Sequence, residues 1–106
     1  MTPRALHQAR IPLPLAEIDA FSRRWHLAEL ALFGSVLRAD FSPASDIDVL
    51  ISFAPEAHPS LWDLATMREE LAAILGREVD LVTQGSLRNP FRRHEILSTK
   101  QVVYAA

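Results

Sequence analysis

Gly34-Ser35-Val36-Leu37-Arg38-Ala39-Asp40, followed after the turn Ser42-Pro43-Ala44-Ser45 by Asp46-Ile47-Asp48-Val49-Leu50-Ile51, is the stretch on which the reading of this chain depends. Upstream of it, Leu27 to Phe33 is apolar except for Glu29, the pattern of a short buried strand that Gly34 closes. A glycine and a hydroxyl at the point where a strand gives way to a helical turn leave backbone N–H groups and the Ser35 Oγ free to meet phosphate oxygens. From Asp46 to Phe53 the residues alternate. Ile47, Val49, Ile51 and Phe53 share one face; Asp46, Asp48, Leu50 and Ser52 share the other.

Aspartates at i and i+2 of a strand stand on one side with Cα atoms roughly 6.5–7 Å apart, within reach of common divalent cations. Left alone, the two carboxylates repel. Held together, they either share a proton or bind hard ions such as Mg²⁺, and a pair of such ions is suited to in-line phosphoryl transfer. Asp80 is the candidate third carboxylate: a helix of about fifteen residues between strands can return the chain so that the two strands lie side by side. Taken singly, a Gly-Ser pair reads equally as a plain turn and an Asp-x-Asp as a strand-end decoration. Their order along the chain is what joins them.

Outward from this stretch, Pro14, Leu15, Ile18, Phe21 and Trp25 predict a first helix over about 14–25, after a loose N-terminal arm over 1–13. Ser35 to Ala39 reads as a short helix or turn. Ser60-Leu61-Trp62-Asp63 has the order of a capping box and opens a helix over about 61–75, with Leu61, Leu64, Leu71, Ile74 and Leu75 inward and Gly76 as its stop. Glu78 to Thr83 predicts a strand with Val79 and Leu81 on one face and Asp80 on the other. A helix follows around Phe91 to Leu97. Val102-Val103-Tyr104 reads as an edge strand or a packed end. The expected class is α/β (α+β), a small mixed sheet of three to four strands packed with helices, forming one domain over 14–106.

The 106 residues are 49% hydrophobic and 23% charged, ordinary for a globular domain, and no segment reaches the roughly 20 apolar residues that span a bilayer. The absence of cysteine excludes disulfides and thiolate metal sites, and the start lacks the apolar core of a signal peptide; a cytoplasmic address is compatible with both. A net charge of −2 supplies no basic field for tracking long nucleic acid. Arg88, Arg92, Arg93 and His94 are a local exception, read either as a solvated helix face or as a contact to phosphate or an acidic partner. His7, His26, His58 and His94 lack metal-ligand spacing. Trp25 and Trp62 fall on or beside amphipathic helices, where core or interface packing is expected.

Gly34-Ser35 with Arg38 and Asp40, then Ser45-Asp46-Ile47-Asp48-Val49-Leu50-Ile51 and Glu78-Val79-Asp80-Leu81-Val82, resembles the signature of the DNA polymerase β-like nucleotidyltransferases, most closely their minimal branch paired with HEPN toxins. The resemblance spans about residues 27–83. It implies the nucleotidyltransferase fold, Gly34 and Ser35 on the nucleotide triphosphate, and Asp46 and Asp48 on two Mg²⁺ ions. Asp80 by the same match is the third metal carboxylate, nearest the attacking hydroxyl. Arg38 matches a frequent arginine and is read either as neutralising phosphate or as pairing with Asp40 or a surface acid. Two positions depart from the pattern: Val36 stands where a basic or larger residue is frequent, and Ala39 where glycine is common.

The function expected is Mg²⁺-dependent transfer of AMP from ATP to a tyrosine hydroxyl of a cognate HEPN ribonuclease toxin, in a hetero-oligomer with it. A rival of another class is an antitoxin that neutralises by binding, its nucleotide site idle. Transfer to a small molecule is a third, disfavoured because the chain lacks the length for an added acceptor domain.

Overall fold

The computed structural model describes residues 12–38, 42 and 44–106. The arm expected over 1–13 falls almost wholly outside the described residues, as do Ala39, Asp40 and any Arg38–Asp40 pairing. In chain order the elements are α1 (Leu15–Arg24), β1 (Leu27–Phe33), a 3₁₀ turn (Gly34–Leu37), β2 (Ile47–Phe53), α2 (Leu61–Leu75), β3 (Val79–Thr83), a second short 3₁₀ turn (Gln84–Ser86), α3 (Pro90–Thr99) and β4 (Gln101–Ala105).

The strands form one sheet in the order β3-β2-β1-β4. β1 runs antiparallel to both β2 and β4, whereas β2 and β3 are parallel. A parallel pair cannot be joined by a tight turn, and α2 supplies the crossover. The C-terminal apolar segment is therefore an edge strand, the fourth of the mixed sheet. Glu29, the one charge in β1, is paired with Lys100 at the α3–β4 junction, which ties the edge strand to the sheet centre.

Alternation along the strands gives the sheet two apolar faces. On one, Leu32, Val49, Ile51, Val79 and Val103 meet Ile18 and Phe21 of α1 and Met67 and Leu71 of α2. On the other, Ala31, Phe33 and Leu50 meet Leu87 and Ile96 under α3. Leu50 thus shares the face of Asp48, as its parity requires, yet is buried because α3 covers that part of the sheet. Toward the end carrying the aspartates the cover is incomplete: Asp48 is half-buried and Asp80 exposed.

The helix ends follow from local chemistry. Pro14 is the residue before α1, and its carbonyl accepts from the Ile18 N–H at 3.0 Å. Trp25 closes α1 and donates its indole N–H to Glu70 of α2 at 3.0 Å, with Arg24 paired to the same carboxylate. At α2 the expected capping box is present: Ser60 Oγ accepts from the Asp63 N–H at 3.1 Å and Asp63 Oδ2 from the Ser60 N–H at 2.9 Å. Gly76 ends α2 in the left-handed region at φ +71°. One expectation fails here. Leu61, read as inward, is 84% exposed, because the first turn of α2 projects past the core; Met67, one turn beyond Leu64, takes the buried place. Among the described residues no helix is long and apolar enough to cross a membrane.

Candidate active site

Two register relationships bring the sequence-predicted residues together. Phe33 of β1 lies opposite Asp48 of β2, so the residue after Phe33, Gly34, falls beside the Asp48 side chain. Asp48 in turn lies level with Asp80 on the adjacent parallel strand. Laterally paired residues of neighbouring strands point to the same face, so both carboxylates stand on the face that α3 leaves open. Asp46, exposed, immediately precedes β2, one residue outside the strand as first read.

Gly34 adopts φ +74°, which side-chain-bearing residues rarely tolerate. A Cβ there would also lie 2.2 Å from Asp48 Oδ2. The glycine is needed for its conformation and for the space it leaves. The turn that follows is fixed by the Arg38 N–H donating to the Ser35 carbonyl at 2.9 Å, and by Val36, which is fully buried beneath it. Val36, where a basic or larger residue is frequent, therefore anchors the turn to the core. Ser35 and Arg38 are left at the surface end of the sheet, Ser35 half-buried and Arg38 exposed.

Asp48 is half-buried between the other two carboxylates' positions and the Gly34 turn. Burial pushes its pKa up from the ordinary 3.8, the negative charges of Asp80 and Asp46 push it further, and Arg38 and Arg92 partly offset them. Neighbouring acids that oppose ionisation of one another are relieved by a cation, and an all-oxygen donor set suits Mg²⁺. The donor chemistry of Asp46, Asp48 and Asp80 fits such an ion. Among the described residues, however, no three carboxylate or imidazole side chains are already drawn together as a closed metal cage. Of the histidines, His26 occupies the link between α1 and β1 at φ +56°, and His7 lies outside the described residues.

Two features escaped the sequence reading. Arg77, from the connection between α2 and β3, donates to the carbonyls of Ser42 at 3.0 Å and Ser45 at 3.5 Å, and the Ile47 N–H donates to Glu78 O at 2.9 Å. Together these hold the turn before Asp46 against the start of β3. No spacing motif announces such a clasp. The second is a cleft of about 1020 Å³ between the Gly34–Arg38 turn and one side of α3. Gly34 lines it and touches the space of Asp48, so cleft and carboxylates share an edge, though no aspartate forms its wall.

The basic run near the C-terminus is divided by α3. Arg92 faces the cleft, Arg93 turns away and donates to the Gln84 carbonyl at 3.3 Å, and Arg88 is exposed before the helix.

A family model described as the nucleotidyltransferase domain matches residues 18–103. The protein adenylyltransferase MntA of Thermococcus cleftensis is 36% identical over 81 residues, covering 76% of this chain and 77% of the relative. A protein of Methanocaldococcus jannaschii, provisionally named a protein adenylyltransferase, is 36% identical over 73 residues, covering 69% of this chain and 73% of the relative. Among solved structures, a chain of a toxin–antitoxin crystal structure with AMP-PNP superposes with a TM-score of 0.71 at 22% identity, covering 89% of this chain and 75% of that one. A chain from the complex of tri-AMPylated Shewanella oneidensis HEPN toxin with MNT antitoxin gives 0.62 at 21% identity, covering 87% and 70%. At that identity the structures speak for the fold, which is the mixed sheet described above.

Proposed function

Because this chain belongs to the nucleotidyltransferase domain family, in its minimal, MntA-type protein adenylyltransferase branch, we propose that it transfers AMP from ATP to a tyrosine hydroxyl of a cognate HEPN toxin and so acts as that toxin's antitoxin. The observation that carries this reading is the lateral pairing of Asp48 with Asp80 beside the open space at Gly34. The Thermococcus relative, a protein adenylyltransferase, and the similar complexes with AMP-PNP and with an AMPylated HEPN toxin support ATP as donor and a HEPN toxin as acceptor.

In this reading the backbone of Gly34 and the Ser35 hydroxyl orient the triphosphate, and Arg38 offsets its charge. Asp46, Asp48 and Asp80 would hold two Mg²⁺ ions, which when bound supply charge neutralisation at the α-phosphate and at the departing pyrophosphate. Asp80, on the outer strand, accepts the proton as the acceptor oxygen bonds to the α-phosphorus. The bond from that phosphorus to the β-phosphate oxygen breaks, and pyrophosphate leaves with the electron pair. Excluding water is left to the docked acceptor.

The test is transfer of α-labelled AMP from ATP to a co-purified HEPN partner, with Asp46→Ala and Asp80→Ala beside the native chain. Label on the partner that requires Mg²⁺ and is lost in both variants is expected. If the partner is neutralised equally well by Asp48→Ala at matched abundance, contact and not chemistry is the function, and the proposal fails.

A further inference from the structure

The described residues include an exposed aromatic side chain whose position no part of the chemistry above uses. Phe91 is 85% exposed, although it follows Pro90 in the first turn of α3, where the Asn89 side chain accepts from the N–H groups of Phe91 and Arg92 at 3.0 and 3.2 Å. That cap fixes the backbone of both residues. The cap also directs α3 so that Arg92, Glu95 and Ile96, at helical spacing of three and four, form one wall of the cleft, opposite Leu37 and Arg38. The lining combines the apolar side chains of Phe33, Leu37 and Ile96 with the cations Arg38 and Arg92 and the carboxylate of Glu95. At about 1020 Å³ it stands at the upper end of the volumes that hold small ligands. Arg92 is near enough to the catalytic end for its charge to act on Asp48.

Resting on the nucleotidyl-transfer reading, we infer that this cleft receives the nucleoside half of the triphosphate, with Phe91 stacking on the base and Arg92 contacting the phosphates from the side opposite Arg38. A triphosphate lying along Gly34 and Ser35 has its nucleoside end either over the open strand end or over α3. The cleft shares Gly34 with that turn and is lined by the exposed aromatic ring of Phe91. Phe91 is therefore a recognition residue for the base and Arg92 a positioning residue for the phosphates. Arg88, of the same basic run, has neither role.

The experiment is calorimetric titration of the native chain and of Phe91→Ala, Arg92→Ala and Arg88→Ala with Mg²⁺–ATP and, separately, with inorganic tripolyphosphate. Because Phe91 and Arg92 are exposed, each variant is expected to keep the native circular dichroism spectrum. Phe91→Ala should weaken ATP by about tenfold and leave tripolyphosphate unchanged, as loss of one stacked base would. Arg92→Ala should weaken both ligands by about tenfold. Arg88→Ala should match the native chain. Native ATP binding that is unaltered in Phe91→Ala and Arg92→Ala overturns this inference and leaves the transferase reading standing. A native chain that neither binds nor turns over any nucleoside triphosphate overturns both.

Discussion

Gly34 and Asp48 share one volume: a methyl group on the glycine would lie 2.2 Å from the Oδ2 of the aspartate. The Gly34–Leu37 turn and the strand carrying Asp48 are accordingly not two motifs that happen to adjoin. Each sets the shape available to the other.

Gly34→Ala is expected to lower stability by about 1–2 kcal/mol from the positive φ alone, with the clash added, and to abolish transfer. Thermal melting and the AMP-transfer assay read the two effects. The pair Gly34→Ala with Asp48→Ala should recover the clash component of stability without activity. If the double variant melts where additivity of the two single variants puts it, the steric coupling is absent.

Asp48 makes stability depend on pH in a stated direction. Its pKa is raised in the fold, so the native chain holds more protons than the unfolded chain above the ordinary value of 3.8. The stability associated with this group is fully present below that value and is lost as pH rises through the raised one. In metal-free buffer Asp48→Asn should therefore melt above the native chain near neutral pH, with the gap closing toward about pH 4. Melting curves across that range decide it, and an Asn variant less stable than the native chain at neutral pH would count against the electrostatic account.

Arg77 is linked to Asp46 through the Ser42–Ser45 turn. Arg77→Ala should reduce the rate of transfer by roughly ten- to a hundredfold, the scale of a small misplacement, with little change in the melting temperature. Arg77→Lys should recover part of it. Equal rates in the native chain and Arg77→Ala would show that the turn holds Asp46 without the clasp.

Ser60 has a structural role alone. Ser60→Ala removes one half of the capping box and should cost about 1 kcal/mol in chemical denaturation while leaving transfer intact. A loss of activity at full folding would mean that α2 governs the position of Asp80 more closely than the crossover geometry implies.

Most of this architecture was legible because alternation and helical spacing report burial directly: β1 and β2 begin within a residue of where the pattern puts them, and Ser60 and Gly76 mark both ends of α2. Asp46, Asp48, Asp80, Gly34 and Ser35 were legible as types in an order; the crossover sets β3 parallel beside β2, and the register that brings Asp48 level with Asp80 is read from the fold. Leu61 misled because spacing gives the side of a helix but not how far along it the core extends. Arg77 and the cleft under Phe91 were invisible for a different reason. Both arise from the meeting of segments distant in sequence, where a side chain finds a backbone carbonyl or an opposing wall, and no local pattern encodes that.

The sheet order places Asp48 on a strand gripped from both sides and Asp80 on the outermost one. Outer strands are held by a single ladder and open at lower free energy than central ones. The carboxylate group thus has a firm half and a half that rests on one row of hydrogen bonds. On warming, the row should part before the core does, so that this chain loses its chemistry while most of its fold is still intact. With Asp80 in the proposed role, the thermal limit on activity is expected at the margin of the sheet and not at its centre.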